Sequence, residues 1–104
     1  MTFKNGMRPV HPGEVLKEDF IVPLGLSINA LAQALDMTTT RLSEVVKGRR
    51  GVTPDTALRL ARYFGGDARS WLNLQTAYDL RVAEIELAKK ISKTIKPMKR
   101  SKAA

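Results

Sequence analysis

The sequence predicts an all-α protein with five helices, and two observations support this fold class. First, apolar residues recur with the three-and-four spacing of amphipathic helices in several separate segments, and no segment alternates as a half-buried strand does. Second, a capping residue or a proline precedes these segments, and glycine or another turn residue follows most of them. With 104 residues, of which 43% are hydrophobic, the chain has enough apolar material for one modest core.

The first predicted helix begins at Pro12, which suits the first helical position, with Glu14 near the favourable end of the helix dipole. It either stops before Pro23 or kinks there and ends at Gly25, because proline cannot donate a helical hydrogen bond. Ser27 is the predicted N-cap of the second helix. The apolar face of this second helix comprises Ile28, Leu31, Ala32 and Leu35.

Thr38 is the predicted N-cap of the third helix, and Gly48 ends this helix. Its apolar positions are Leu42, Val45 and Val46. The fourth helix has a strong start signal, since Thr53 supplies a cap, Pro54 suits the first position and Asp55 puts an acid in the first turn. A Gly-Gly pair ends the fourth helix.

The last predicted helix follows Asp67 and runs from Ala68 to about Ile91, a length on the order of 36 Å. Its apolar residues form two stripes, whereas one helix of a small bundle needs only one. One stripe is Trp71, Leu74, Tyr78, Val82 and Ile85, and the other is Leu80, Ala83, Leu87 and Ile91. The second stripe predicts a homodimer that pairs through this helix. The predicted interface residues are Trp71, Leu74, Tyr78, Leu80, Val82, Ile85 and Leu87.

The net charge of +8 is concentrated near the C-terminus. Residues 89–104 contain seven basic residues and no acid, which leaves 11 basic against 10 acidic residues in residues 1–88. We expect residues 92–104 to form a disordered basic tail, because a lysine-rich segment that contains Pro97 cannot build a core. A second basic strip runs from Arg41 to Arg50, and a focused strip of this kind is typical of nucleic-acid binding.

The second and third predicted helices form a helix-turn-helix unit. Ala32 is small where the two helices cross, and Met37 lies under the turn. Asp36 tolerates the left-handed conformation that the turn requires, although glycine adopts it at lower cost. In such a unit the N-terminal residues of the second helix read base edges in the major groove. The pattern therefore predicts sequence-specific DNA binding by the third helix.

The predicted base-reading residues are Thr39, Thr40, Arg41, Ser43 and Glu44. Arginine can bond guanine O6 and N7, a threonine methyl can contact a thymine methyl, and glutamate can accept a hydrogen bond from cytosine N4. An alternative for Glu44 is an ion pair with Arg41 or Lys47 along the helix surface. Phosphate contacts fix the position on the duplex without reading its sequence. The candidates for these contacts are Ser27, Asn29, Lys47, Arg49 and Arg50.

The residue content argues against an enzyme, a metal site and a membrane protein. The chain has no cysteine and a single histidine, His11, which we expect at a helix start or on the surface. No glycine-rich phosphate loop is present and no cofactor is expected. The longest apolar run, Phe20 to Leu26, is far shorter than the roughly 20 residues that span a bilayer. With no secretion signal at the N-terminus, we expect a cytoplasmic location.

Four segments carry the pattern of a known family. The segment SINALAQALDMTTTRLSEVVKG at residues 27–48 resembles the helix-turn-helix of Xre/Cro-type regulators. The segments HPGEVLKEDFIVPLGLS at 11–27, GRRGVTPDTALRLARYFG at 48–65 and WLNLQTAYDL at 71–80 are similar to HigA-type antitoxins. Together these segments cover most of residues 8–88. The chain departs from the family pattern at Asp36, where glycine is usual, and in its longer basic tail.

The resemblance implies a five-helix lambda-repressor-like domain in residues 1–91, with a dimerising C-terminal helix, followed by the basic tail. It also implies a dimeric antitoxin that binds double-stranded operator DNA and represses its own operon. Its protein partner would be a RelE-like HigB toxin, a ribosome-dependent ribonuclease that the antitoxin neutralises. Two alternatives are a stand-alone Xre-type repressor without a toxin, and a toxin-binding module with little role on DNA.

Overall fold

The computed structural model describes residues 8–99, which form five helices and no strand. The prediction of an all-α fold is therefore confirmed. The helices are α1 at Pro12–Leu16, which continues as a π-helical turn at Lys17–Ile21, then α2 at Ile28–Ala34, α3 at Thr39–Val46, α4 at Pro54–Phe64 and α5 at Ala68–Thr94.

The predicted capping residues begin α2, α3, α4 and α5. Each of their side chains accepts a hydrogen bond from a backbone N–H two or three residues later, which satisfies a donor that has no partner within the helix. These caps are Ser27, Thr38, Thr53 and Asp67. The starts of these four helices therefore follow from local sequence.

The first helix stops before Pro23, as one of the two alternatives predicted, but its second half is wider than an α-helix. The N–H of Val22 donates to the carbonyl of Lys17, five residues earlier, at 2.9 Å. This wider turn brings Leu16 and Ile21, also five residues apart, to the buried side. Gly25 then reverses the chain with a φ of +63°.

The core lies among α1 to α4 and the first turns of α5. Its centre consists of side chains that are almost fully excluded from solvent: Leu16, Leu31, Leu42, Val45, Ala57 and Leu60. An aromatic group closes one end, where the ring of Phe20 lies 4.7 Å from that of Phe64 and 5.6 Å from that of Trp71, centroid to centroid.

Helix α5 extends far beyond this core. The radius of gyration is 17.6 Å and the longest dimension is 58 Å, whereas a compact domain of this length has a radius of gyration of about 13 Å. The helix ends at Thr94, slightly later than the predicted Ile91. The last residues of the predicted tail lie outside the described residues. No helix in the described range is long and apolar enough to cross a membrane.

Candidate DNA-binding surface

The turn between α2 and α3 has the predicted geometry. Asp36 has a φ of +54°, the left-handed conformation that the unit requires. Next to it, the N–H of Met37 donates to the carbonyl of Ala32 at 2.9 Å. Ala32 itself is 1% exposed, as expected of a small residue where two helices cross. The α2–turn–α3 segment is thus a closely packed helix-turn-helix.

Helix α3 presents its polar face outward. Leu42 and Val45 anchor it from beneath, and both are fully buried. Among the predicted base-reading residues, Thr39 and Thr40 are exposed and Ser43 is half-buried. These three side chains lie on or near the N-terminal half of α3, the part that reads base edges in helix-turn-helix proteins.

Helix α1 supports α3 from below at very short range. A Cβ atom added at Gly13 would lie 1.8 Å from the carbonyl oxygen of Val45. Only glycine therefore allows the backbone of α1 to pass so close to the end of α3. This contact, together with the buried leucine and valine side chains, places α3 against the core.

Arg41 does not present a free guanidinium to solvent. Its Nη2 donates to Asp55 Oδ2 at 2.5 Å and to Thr56 Oγ1 at 2.9 Å, and both partners lie at the start of α4. Each pair of parallel N–H bonds that a guanidinium can offer to guanine includes one on Nη2. The predicted bidentate guanine contact therefore does not describe Arg41 as it stands here, because the packing of α3 against α4 supplies other acceptors.

Glu44 also has a partner within the chain. Its Oε1 accepts from Arg50 Nη2 at 2.8 Å and from Arg50 Nε at 3.1 Å. The alternative of an ion pair along the helix surface named Arg41 or Lys47, and neither is the partner. The chain folds back after Gly48, which has a φ of +78°, and this reversal brings Arg50 onto Glu44.

The predicted phosphate-contacting residues form an exposed set around α3. Ser27 and Asn29 lie at the N-terminus of α2, and Lys47 follows the last turn of α3. Arg49 and Arg50 lie in the α3–α4 loop, and all five side chains are solvent-exposed. These residues lie before and after α3 in the chain, and their contact with phosphates stays a prediction.

A cleft of about 630 Å³ lies between the α3–α4 loop and α5, and sequence reasoning did not predict it. Its basic wall is formed by Arg41, Arg49 and Arg50. The loop is fixed to α5 by Gln75, whose Oε1 accepts from the N–H of Val52 at 2.7 Å. Because this contact joins residues 23 positions apart, no local signal in the sequence indicates the cleft.

His11 lies at the start of α1, one of the two places expected for it, but it is not a surface residue. It is 7% exposed, and its Nδ1 accepts the N–H of Gly13 at 2.8 Å as the N-cap. The ring of Tyr78 meets it edge to face at 4.9 Å between centroids. Burial lowers the pKa of His11, and the nearby charge of Asp79 partly opposes this effect.

The two apolar stripes of α5 have different surroundings. Trp71 is 6% exposed and belongs to the core of its own chain, and Leu74 packs against that core. The core therefore covers Trp71, which was predicted in the dimer interface, whereas Leu74 is only partly buried and stays in that prediction. Tyr78 and Val82 are half-buried. In contrast, large apolar side chains further along α5 are exposed: Leu80, Ile85, Leu87 and Ile91.

The comparisons with known proteins agree with this architecture. A family model described as helix-turn-helix matches residues 16–71, more than half of the chain. The chain belongs to this helix-turn-helix family. Among its relatives, Virulence-associated protein I of Dichelobacter nodosus is 60% identical over 81 residues, which cover 78% of this chain and 75% of that protein.

Two solved helix-turn-helix proteins place the chain among HigA-like members. An addiction module antidote protein of a HigA family from Coxiella burnetii is 46% identical with a TM-score of 0.82, covering 88% of this chain and all of that one. Antitoxin HigA of Pseudomonas aeruginosa, solved with the higBA promoter, is 39% identical with a TM-score of 0.85 over 88% of this chain and all of that one. The predicted resemblance to HigA-type antitoxins of the Xre-like family is therefore confirmed.

Proposed function

We propose that the chain is a HigA-type antitoxin, a dimer that binds the operator of its own operon and neutralises a RelE-like ribonuclease toxin. The observation that carries this proposal is the polar side of α3, which faces solvent. Leu42 and Val45 hold this helix from its buried side, and basic residues flank it in the chain. The similarity to an antitoxin solved with promoter DNA over 88% of this chain supports the same function.

In this proposal, base readout rests on polar side chains along the outward side of α3. Thr39, Thr40 and Ser43 supply hydroxyl groups and methyl groups of the kind that contact base edges. Arg41 and Glu44 can take part only by leaving Asp55 and Arg50, so we do not assign them base contacts. The phosphate contacts are assigned to Ser27, Asn29, Lys47, Arg49 and Arg50.

The dimer in this proposal forms through the exposed part of α5. Leu80 and Leu87 are two helical turns apart, and Ile91 follows Leu87 by one turn, so the three side chains lie along one side of the helix. Each is at least 43% exposed. Pairing two such helices buries the apolar stripe that the core leaves uncovered. A two-fold dimer then presents two recognition helices to successive major grooves, about 34 Å apart.

The antitoxin function is tested by co-expressing the chain with the small open reading frame adjacent to its gene. We expect the neighbour alone to arrest growth, the pair to grow, and both proteins to elute together from a sizing column. The same preparation is then titrated onto upstream DNA and onto scrambled DNA. A non-toxic neighbour with specific DNA binding favours the stand-alone repressor. Toxin neutralisation without DNA binding favours the interaction module.

A further inference from the structure

A carboxylate at the start of α4 holds two arginines from different parts of the fold. Asp55 Oδ2 accepts from Arg41 Nη2, which belongs to α3, at 2.5 Å. Both oxygens of Asp55 also lie 3.2 Å from Arg59 Nε, one turn further along α4. The two cations hold the pKa of Asp55 below its usual range, with the Arg41 hydrogen bond as the largest cause.

The second arginine reaches back to the helix-turn-helix turn. Arg59 Nη1 donates to the carbonyl of Leu35 at 2.9 Å and to the carbonyl of Asp36 at 2.8 Å. These carbonyls lie at the C-terminal end of α2, where they accept no hydrogen bond from within the helix. One continuous set of hydrogen bonds therefore joins the turn, the start of α4 and the start of α3. We call Arg41, Asp55 and Arg59 the clasp.

The two arginines of the clasp are partly shielded from water, whereas the side chain of Asp55 is 53% exposed. The side chains of Arg41 and Arg59 are 29% and 31% exposed. Arg41 also donates to the hydroxyl of Thr56, a residue that is 1% exposed. Hydrogen bonds between charged groups are directional, so these contacts fix the relative orientation of α3 and α4.

Helix α3 needs such a support at its N-terminal end. It has eight residues, which is too short to be stable in isolation. Leu42 and Val45 hold its middle and its last turn from beneath, whereas Thr39 and Thr40 are exposed. The clasp is the contact that ties this leading end to the rest of the domain through a side chain of α3 itself.

We infer that Asp55, together with Arg41 and Arg59, positions the recognition helix, and that Arg41 acts through this clasp rather than by reading a base. The inference rests on the proposed DNA-binding function. Binding sites lose affinity when the groups that make contact are misplaced by about 1 Å. A loosened clasp therefore weakens operator binding although the side chains that face the DNA are unchanged.

The decisive variant is Asp55→Asn. It removes a negative charge, so simple electrostatics predicts tighter binding to DNA. The clasp predicts the opposite for the operator, a loss of about tenfold in affinity, with affinity for scrambled DNA changed by less than about twofold. Asp19→Asn is the matched control, since Asp19 is exposed on the π-helical turn and its loss changes the net charge equally. We expect this control to bind the operator as the wild type does, or slightly more tightly.

Arg41→Ala separates positioning from direct contact with DNA. We expect the same loss of operator affinity, with an unchanged base preference at each operator position and an unchanged salt slope. The double variant with Asp55→Asn should lose no more than either single variant, because both break one clasp. A relaxed preference at one base pair, a salt slope reduced by about 0.9, or tighter operator binding by Asp55→Asn would overturn the inference. Circular dichroism checks that every variant is folded at the temperature of the titration.

A measurement without DNA separates this inference from the proposed function. Nitrogen-15 NMR of the arginine side chains should show hindered rotation of the Arg41 and Arg59 guanidinium groups in the wild type. In Asp55→Asn the Arg41 group should rotate faster, whereas Arg59 keeps its bonds to the carbonyls of Leu35 and Asp36. Free rotation of both groups in the wild type overturns the clasp even if the operator is bound. A wild-type chain that does not distinguish operator from scrambled DNA contradicts the proposed function, while the NMR result still tests the clasp.

Discussion

The globular part of the chain and the outer half of α5 differ in how their apolar side chains are covered. Leu42 on α3 is fully buried, whereas Leu87 on α5 is 43% exposed. The polar contacts differ in the same way, since Arg41 and Asp55 are joined at 2.5 Å while Arg81 and Glu84 are 3.9 Å apart. The first region buries a continuous core within one chain, although Val22, Leu24, Leu58 and Tyr63 remain exposed on its surface. The outer half of α5 has no such core, and its large apolar side chains are exposed. This difference supports the proposal that two chains pair through the outer half of α5.

The largest expected effect is on the free energy of unfolding, and it comes from a substitution in the buried core of the globular part. Leu42→Ala should lower the free energy of unfolding by about 3 kcal/mol, because it removes a filled volume at the centre of the core. Leu87→Ala is the matched variant on α5, and at concentrations where the chain is monomeric it should change stability by less than about 0.5 kcal/mol. Urea denaturation at several protein concentrations measures both. Equal losses in the monomeric state would contradict the contrast between the two regions.

A charge on the exposed stripe should break the proposed dimer. Leu80→Glu combined with Leu87→Glu should raise the dimer dissociation constant about a hundredfold, which corresponds to about 2.7 kcal/mol. Sedimentation equilibrium measures this constant. Lys93→Glu adds a carboxylate on a side of the same helix away from Leu80, Leu87 and Ile85, and should leave the dimer intact. If the double variant remains as dimeric as the wild type, the interface lies elsewhere.

A smaller effect is expected for phosphate contacts on the globular part. Arg49→Ala should weaken binding to all DNA sequences alike, by about fivefold, and reduce the salt slope by about 0.9. Arg69→Ala removes the same charge at the start of α5, away from the proposed surface, and should leave the slope unchanged. Fluorescence anisotropy at several salt concentrations gives both quantities. A slope that falls equally in the two variants would show that net charge alone governs binding.

The smallest effect concerns pH. Burial lowers the pKa of His11 in the folded chain below its ordinary value of 6.5, so the unfolded chain binds more protons in the window below that value. The free energy of unfolding should therefore fall as the pH drops through 6.5 toward the lower folded pKa. The pKa values of Glu14 and Asp55 are also lowered, and their contribution is lost only at more acidic pH.

His11→Asn tests this window because asparagine can cap a helix without titrating. Urea denaturation at about pH 7.5 and about pH 5.5 should give nearly equal stabilities for this variant, and a lower stability at the acidic pH for the wild type. The same dependence on pH in both proteins would assign the effect to other groups.

The features that were predictable from the sequence are those set by neighbouring residues. Ser27, Thr38, Thr53 and Asp67 cap their helices through bonds to residues two or three positions away, so each start could be recognised locally. The left-handed turn residue Asp36 follows from the spacing of the apolar residues on both sides of it. The amphipathic pattern of α3 likewise indicated which of its side chains face outward.

The features that were not predictable depend on how the helices pack. Arg41 and Asp55 are 14 residues apart, and Arg59 reaches a carbonyl 24 residues earlier, so nothing local relates them. From the sequence alone, a guanidinium on the outward side of α3 is compatible with a base contact. Only the packing of α3 against the start of α4 shows that Arg41 has other acceptors. Trp71 was assigned to the dimer for the same reason, since a helical stripe does not indicate which part of it the core covers.

Hydroxyl-radical footprinting of the chain on the DNA upstream of its own gene tests the central claim most directly. Two recognition helices held together by α5 should protect two segments whose centres lie about 34 Å apart, one helical turn of DNA. Asp55→Asn should weaken both protected segments together without shifting them. A single protected segment, uniform protection along the fragment or no protection would contradict a dimer that reads an operator through α3.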